Sequence, residues 1–136
     1  MPLKIALQMD DILSVDVSAD TSFRFAEEAQ ARGHQLWYYG PEALTYDRGT
    51  VLATAYPITV DRNGAIPAEV GPVERLPLAQ FDVVLLRQDP PFDMQYITTT
   101  HILDRAHPHP LVVNTPHSVR TAPEKQSVLN FPALTP

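Results

Sequence analysis

The chain has 136 residues, of which 44% are hydrophobic and 19% charged, a composition typical of one soluble globular domain. Its formal net charge of −6, without a cluster of lysine and arginine, argues against nucleic acid or an anionic membrane surface as a partner. The absence of cysteine excludes a disulfide framework and a thiol nucleophile, and it is compatible with a cytoplasmic location. We expect no membrane-spanning helix, because no apolar run approaches about 18–20 residues. We expect no signal peptide either, because the N-terminus lacks a basic segment followed by an apolar stretch and a small-residue cleavage site.

The first 40 residues predict a strand, a helix and a second strand. Apolar and polar residues alternate over residues 3–9, as they do in a strand. Asp20, Thr21 and Ser22 are candidate N-caps for a helix over residues 23–32, and Gly33 is placed to end it. The aromatic-rich run 35–39 is typical of a second strand. Such a unit is expected to be parallel, with a right-handed crossover.

Turn residues interrupt this pattern between residues 40 and 80. Asp47-Arg48-Gly49 and Asn63-Gly64 lie next to short runs of strand-forming residues, which predicts hairpins. We therefore expect an antiparallel excursion at one edge of the sheet or at the rim of a cleft. Prolines at 57, 67, 72 and 77 are expected to limit further strand pairing there.

Residues 81–97, which read FDVVLLRQDPPFDMQYI, predict a strand, a rigid polar loop and a helix. The apolar run Val83–Leu86 suits a strand buried on both faces of a parallel sheet. Pro90 and Pro91 stiffen the loop that follows, and Asp93 is a candidate N-cap. The apolar face of the helix would contain Met94, Ile97, Leu103 and Ala106.

The last third of the chain predicts a turn at residues 107–110 and a short buried strand at 111–113. A single helical turn over 116–120 and a final helix over 124–130, with Pro123 at its start, would follow. The predicted fold class is therefore α/β: an open, mainly parallel, Rossmann-like sheet with flanking helices and an antiparallel hairpin excursion.

Three predicted strands end at polar residues, which are Asp10, Arg87 and Asn114. Parallel strands would bring all three to the carboxyl edge of the sheet, where ligands bind in open α/β folds. Arg87 could pair bidentately with a ligand carboxylate. Alternatively, it could pair with Asp10, Asp89 or Asp93 and hold the edge together. The residues alone leave both interpretations open.

Two other groups of polar residues have a functional and a structural interpretation. Ser18, Thr21 and Ser22 border the predicted start of the first helix, where they could bind an anion or simply cap the helix. His107 and His109 flank a proline, but without a third ligand they indicate a solvated turn more than a metal site. We assign no catalytic residue and no metal ligand from the sequence.

Two stretches, LKIALQMDDILSVDVSADTSFRFAEEAQARGH and LLRQDPPFDMQYITTTHIL, resemble the opening and the substrate-domain signature of the prokaryotic glutathione synthetase family. NTPHSVRTAPEKQSVLNFPALTP is similar to its entry into the ATP-grasp portion, whereas residues 42–76 match only loosely. The resemblance implies a pre-ATP-grasp substrate domain over residues 1–122 and the beginning of the ATP-grasp portion over 123–136.

The resemblance also implies a function. The family's enzyme is an ATP-dependent ligase that joins γ-glutamylcysteine to glycine, forming glutathione, with Mg²⁺ or Mn²⁺ as the metal. It implies a cytoplasmic homo-oligomer in which this domain helps position the γ-glutamyl dipeptide. The substrate-binding residues would then be Asp10, Ser18, Thr21, Ser22, Arg87, Asp89 and Asn114.

Lys125, in the segment PEKQSVL, matches a family lysine that reaches toward nucleotide phosphate. Judged without the resemblance, a single lysine on a short helix is usually solvated. The family's glycine-rich loop, second lysine and acidic magnesium ligands lie further along its chain. We therefore expect this chain alone to bind neither ATP nor Mg²⁺ and to be catalytically inactive. Asp11, at a family proline, could alter the loop that supports Asp10, and Thr115, at an often charged position, could weaken a polar contact near the domain junction.

Two other functions stay open. A receiver-like signalling module fits Asp10-Asp11 after the first strand, but it needs a phosphoacceptor aspartate after the central strand, where Arg87 stands. A stand-alone relative could instead bind γ-glutamyl peptides, or act with a separate ATP-grasp chain.

Overall fold

The computed structural model describes residues 1–89, 91–106, 109–121 and 127–134. In these ranges the strands are β1 (Lys4–Gln8), β2 (Gln35–Tyr39), β3 (Leu44–Asp47), β4 (Thr50–Val60), β5 (Ala68–Val70), β6 (Glu74–Pro77), β7 (Val83–Leu86) and β8 (Leu111–Val113). The α-helices are α1 (Thr21–Ala31), α2 (Met94–Ala106) and α3 (Pro116–Thr121). Short 3₁₀ turns occupy Ile12–Ser14, Pro41–Ala43, Leu78–Gln80, Ser127–Asn130 and Pro132–Leu134.

The sheet has the strand order β3-β4-β2-β1-β7-β8, and β5 and β6 each pair with β4. The four strands β2, β1, β7 and β8 are parallel to one another. β4 runs antiparallel to β2 and carries the three remaining strands, all antiparallel to it. The predicted α/β fold with a parallel centre and an antiparallel excursion is confirmed, and the excursion involves more strands than expected.

The expectation that prolines limit strand pairing in this excursion is wrong for Pro57, whereas Pro67 and Pro72 lie outside the strands, on either side of β5. Pro57 lies inside β4 opposite Trp37, and Pro77 ends β6 opposite Leu52. A proline lacks only the N–H, and its carbonyl can still join a sheet. The carbonyl of Pro57 accepts a hydrogen bond from the amide of Gly71 at 2.8 Å. The pairing therefore continues past the proline on its carbonyl side.

Helix α1 covers one face of the parallel strands. It begins where the Asp20 side chain accepts a hydrogen bond from the amide of Phe23 at 2.8 Å, and it ends before Gly33, whose φ is +83°. Phe23 and Ala26 are fully buried against the sheet. The predicted caps of this helix are thus confirmed, with Asp20 as the N-cap.

Helix α2 covers the opposite face. Asp93 Oδ1 accepts a hydrogen bond from the amide of Tyr96 at 2.9 Å, as an N-cap does. Leu103 is fully buried, but Met94 is 74% exposed, so its predicted place on the apolar face is wrong. At 3.6 residues per turn, Met94 precedes Leu103 by about 2.5 turns and therefore lies on the opposite side of the helix. Thr99 and Thr100 take the buried positions instead.

Strand β8 forms the outer edge of the parallel strands, pairing only with β7 in the described part of the chain. The predicted strand is present, but only its middle residue, Val112, is buried, whereas Leu111 and Val113 are exposed. The reason is that the described helices leave one side of this edge uncovered.

The C-terminal predictions are only partly described. The predicted helical turn is confirmed as α3, whereas Ser127–Asn130, the described part of the predicted final helix, is a 3₁₀ turn. Residues 124–126, and 107–108 of the predicted turn, lie outside the described residues. Within the described ranges, no helix is both long and apolar enough to cross a bilayer.

Candidate functional site

The carboxyl ends of β1, β7 and β8 meet at one edge of the sheet, because the three strands are adjacent and parallel. The structure accordingly places Asp10, Arg87 and Asn114 at this edge, as predicted. The amide of Arg87 donates to the carbonyl of Gln8 at 2.8 Å, which extends the pairing of β1 and β7 up to the polar loop.

An acidic cleft of about 210 Å³ opens at this edge, between the end of β1, the start of α1 and the β7–α2 loop. Its polar lining includes Asp10, Asp11, Asp16, Asp20, Ser22, Arg87 and Asp89. Arg87 is the one cationic side chain among the residues that line it. The cleft therefore offers one positive group beside several carboxylates.

A second, apolar cleft of about 280 Å³ also includes Arg87 in its lining. Its apolar lining residues are Phe25, Leu85, Leu86 and Val113, and its polar ones are Arg87 and Asn114. Arg87 is thus shared by an acidic and an apolar cleft. Asn114 belongs to the apolar cleft and does not line the acidic one.

The direct contacts of the Arg87 guanidinium are to neutral side chains. Its Nε donates to the hydroxyl of Ser22 at 3.1 Å, and its Cζ lies 5.4 Å from the centre of the Phe25 ring, within the range of a cation–π contact. Among the described residues, no carboxylate oxygen lies within 4.0 Å of it. The interpretation in which Arg87 forms an ion pair with Asp10, Asp89 or Asp93 is therefore not what the structure shows. An arginine has five N–H donors, and only Nε is engaged by a described acceptor.

Asp89 and Asp10 form the acidic side of the site. The amide of Asp89 donates to Asp10 Oδ2 at 3.0 Å, which fastens the β7–α2 loop to the loop after β1. Burial raises the pKa of Asp89, as do the charges of Asp10 and Asp20, and the charge of Arg87 opposes the rise. The two carboxylates thus create a negative region next to the guanidinium.

The three hydroxyl residues of the β1–α1 connection are placed differently. Ser22 is buried and faces Arg87. Ser18 and Thr21 are exposed and line neither of these two clefts. Ser18 donates from its hydroxyl and its amide to Asp16 Oδ1, at 2.6 and 3.0 Å, and these hydrogen bonds lower the pKa of Asp16. Substrate binding by Ser18 and Thr21 stays a prediction.

Sequence reasoning missed Phe25, Gln8 and Gln88. Phe25 follows Ser22 by three residues and so shares its side of α1, a spacing that is visible in the sequence. Gln8 and Gln88 are 80 positions apart, and their side chains meet under the β7–α2 loop. No local pattern in the sequence indicates that contact.

Two of the three residues considered for nucleotide or metal binding lie outside the described residues. These are Lys125 and His107, whereas His109 is directed at the carbonyl of Ala79, 3.0 Å from its Nε2. Within the described ranges, no group of three or more histidine, aspartate or glutamate side chains is placed to hold a metal. The predicted nucleotide contact of Lys125 therefore stays a prediction.

Comparison with known proteins gives consistent matches over the whole chain. A family model described as prokaryotic glutathione synthetase, N-terminal domain, matches residues 3–120. This chain is 52%, 48% and 38% identical to proteins named glutathione synthetase from Mesorhizobium japonicum, Brucella melitensis and Salmonella typhimurium, respectively. These alignments cover 100%, 100% and 98% of this chain, but 44%, 44% and 43% of the three relatives. The chain thus spans less than half the length of the curated relatives it matches.

Proposed function

Because this chain belongs to the prokaryotic glutathione synthetase N-terminal domain family, we propose that it is the substrate-side portion of an ATP-dependent ligase. In the proposed reaction, ATP, γ-glutamylcysteine and glycine give glutathione, ADP and phosphate. Residues 1–122 form the pre-ATP-grasp domain and residues 123–136 begin the ATP-grasp portion. The family match, which ends at residue 120, supports this division.

The proposed role of this portion is to position γ-glutamylcysteine. The observation that carries the proposal is the guanidinium of Arg87, which has no carboxylate partner among the described residues although it lies in an acidic cleft. The γ-glutamyl group carries an α-carboxylate next to an α-ammonium. Arg87 can take the carboxylate through two parallel hydrogen bonds, and Asp10 and Asp89 can take the ammonium.

The remaining partners are proposed for the longer protein. ATP and Mg²⁺ or Mn²⁺ would bind to the ATP-grasp portion, in whose first residues Lys125 would contact nucleotide phosphate, and the enzyme would be a cytoplasmic homo-oligomer. A receiver-like signalling module is disfavoured, because β7 leads into Arg87 where such a module needs an aspartate.

The experiment is a hybrid enzyme in which this chain replaces the matching part of the Mesorhizobium japonicum relative. Arg87→Ala should remove a charge-assisted contact of roughly 1.5–3 kcal/mol. We expect kcat/KM for γ-glutamylcysteine to fall about 10- to 150-fold, while KM for ATP changes little. Arg32→Ala is the matched control, because Arg32 is exposed at the end of α1 and pairs only with Glu28 in the described part of the chain.

The outcome also separates a ligand contact from a structural role. A ligand contact leaves the melting temperature almost unchanged, whereas a structural role for Arg87 lowers it by several degrees. Unchanged dipeptide kinetics, or a loss shared equally by ATP, would contradict the proposal.

A further inference from the structure

A chain of hydrogen-bonded amide and hydroxyl groups joins the end of β1 to the β7–α2 loop and to α2. Gln8, at the end of β1, is fully buried. The hydroxyl of Tyr39 donates to Gln8 Oε1 at 2.9 Å, and Gln8 Nε2 donates to Gln88 Oε1 at 2.5 Å. Thr99 Oγ1 lies 3.3 Å from the same oxygen of Gln88. Burial raises the pKa of Tyr39, so its phenol stays protonated and able to donate.

This chain of hydrogen bonds connects the two loops of the proposed site. Gln8 is two residues before Asp10, and Gln88 lies between Arg87 and Asp89. The amide contact of the two glutamines is flanked by two others, from Arg87 N to Gln8 O at 2.8 Å and from Asp89 N to Asp10 Oδ2 at 3.0 Å. Gln88 is thus held on the α2 side of the loop, while its two neighbours line the cleft.

Packing alone does not explain a glutamine at position 8. Ala6, which shares this face of β1 with Gln8, belongs to an apolar core cluster that includes Trp37 and Val84. An apolar side chain would fill this space without the cost of burying an amide. The amide is satisfied only when Gln88 and Tyr39 are in place, since a buried polar group without a partner is strongly disfavoured. A displaced loop would break this arrangement, so the contact favours one position of the loop.

We propose that Gln8 and Gln88 are positioning residues that set Arg87 and Asp89 at a fixed place relative to Asp10. The positioning of γ-glutamylcysteine by this pair rests on the proposed function. The ordering of the loop by the pair does not, and it can be measured without any ligand.

The test compares four variants of the 136-residue chain. Gln8→Met and Gln88→Leu remove the amide contact, whereas Gln88→Glu keeps an oxygen that can accept from Gln8. Gln30→Met is the matched control, because the Gln30 amide bonds to both backbone groups of Val60, at 2.8 and 2.9 Å, away from the cleft. The measurements are hydrogen exchange at the Asp89 amide and the dissociation constant for γ-glutamylcysteine, both by NMR.

We expect Gln8→Met and Gln88→Leu to speed exchange at the Asp89 amide by about 10-fold or more, because the loop opens more often. The dissociation constant should rise about 10-fold, which corresponds to about 1.4 kcal/mol. Gln88→Glu should restore both values to near those of the unsubstituted chain. Gln30→Met should lower the melting temperature and leave both values unchanged.

Three results would overturn the proposal or part of it. If Gln88→Leu leaves exchange at Asp89 unchanged, the pair belongs only to the core, and this variant decides the question even if Gln8→Met does not fold. Faster exchange with unchanged dipeptide affinity would remove the positioning role. If the unsubstituted chain does not bind the dipeptide, this portion does not hold the ligand by itself, and exchange still decides whether the pair orders the loop.

Discussion

Arg87 Nε lies 3.1 Å from Ser22 Oγ, so the residue that follows β7 is joined to the first turn of α1. Ser22 is only 5% exposed, and its hydroxyl therefore presents a fixed acceptor to the guanidinium. We expect Ser22→Ala to lower kcat/KM for γ-glutamylcysteine in the hybrid enzyme about 2- to 13-fold, since one hydrogen bond contributes about 0.5–1.5 kcal/mol. Ser118→Ala, at an exposed position of α3, is the control. A loss as large as that of Arg87→Ala would show that Ser22 does more than aim the guanidinium.

Asp89 is expected to destabilise the folded chain at neutral pH. Burial and the neighbouring carboxylates raise its pKa, so its ionised form is disfavoured in the folded state. A carboxyl group whose pKa is higher in the folded than in the unfolded chain stabilises the fold at pH values below its unfolded pKa. That contribution is lost as the pH rises through its folded pKa. Asp89→Asn should therefore raise the melting temperature at about pH 7, and the gain should vanish near pH 3.

Asp16→Asn is the opposing control for this prediction, because hydrogen bonds from Ser18 lower the pKa of Asp16. Its melting temperature at neutral pH should not exceed that of the unsubstituted chain. Thermal melts across this pH range measure both variants, and a less stable Asp89→Asn at neutral pH would refute the expected sign.

Arg62 and Glu27 connect the turn after β4 to α1 through two hydrogen bonds, each 2.8 Å long. Arg62 Nη1 also donates to the carbonyl of Val17 at 2.6 Å, which holds the loop beside the acidic cleft. The hydrogen bonds from Arg62 hold the pKa of Glu27 below its ordinary value of 4.5. A carboxyl group whose pKa is lower in the folded chain than its ordinary value stabilises the fold at pH values above that ordinary value. The contribution is lost as the pH falls through the folded pKa.

Glu27→Gln should therefore lower the melting temperature at neutral pH and have little effect once Glu27 is protonated in the folded chain. Glu28→Gln is the control, since Glu28 is 64% exposed and pairs with Arg32 on the surface. Thermal melts of the unsubstituted chain and of both variants, in buffers above and below the ordinary pKa of glutamate, make the comparison. An equal loss from Glu27→Gln at acid and neutral pH would mean that the carboxylate charge is not the cause.

Arg120 fastens α3 to α2 by an ion pair to Asp104, with 2.6 Å between Nη2 and Oδ2, and by a hydrogen bond to Thr100 at 3.2 Å. The Arg120 side chain is only 16% exposed. Arg120→Met should lower the free energy of unfolding by about 1–3 kcal/mol, because it leaves the partly buried Asp104 without this partner. Arg32→Met, which breaks a surface pair, should cost less than about 0.5 kcal/mol. Denaturant unfolding measures both, and equal losses would show that burial of the pair is unimportant.

The local sequence determined where several elements begin and end. Asp20 and Asp93 cap their helices by bonding to amides three residues on, and Gly33 ends α1 with a positive φ. Such contacts lie within one helical turn, so their partners are adjacent in the printed sequence. The order of strands and helices also placed Asp10 and Arg87 at one edge, because parallel strands share their carboxyl ends.

Only the tertiary structure decided what these residues contact. Arg87 meets Ser22, 65 positions away, in place of the aspartates beside it in sequence, and Gln8 meets Gln88 at a separation of 80. These partners depend on how β1 and β7 pair and how α1 packs on them. Whether a residue of β8 or α2 is buried likewise depended on which face of its element another element covers. Met94, for example, lies on an uncovered face of α2 and is exposed. Periodicity specifies which residues share a face, but only packing specifies which face is covered.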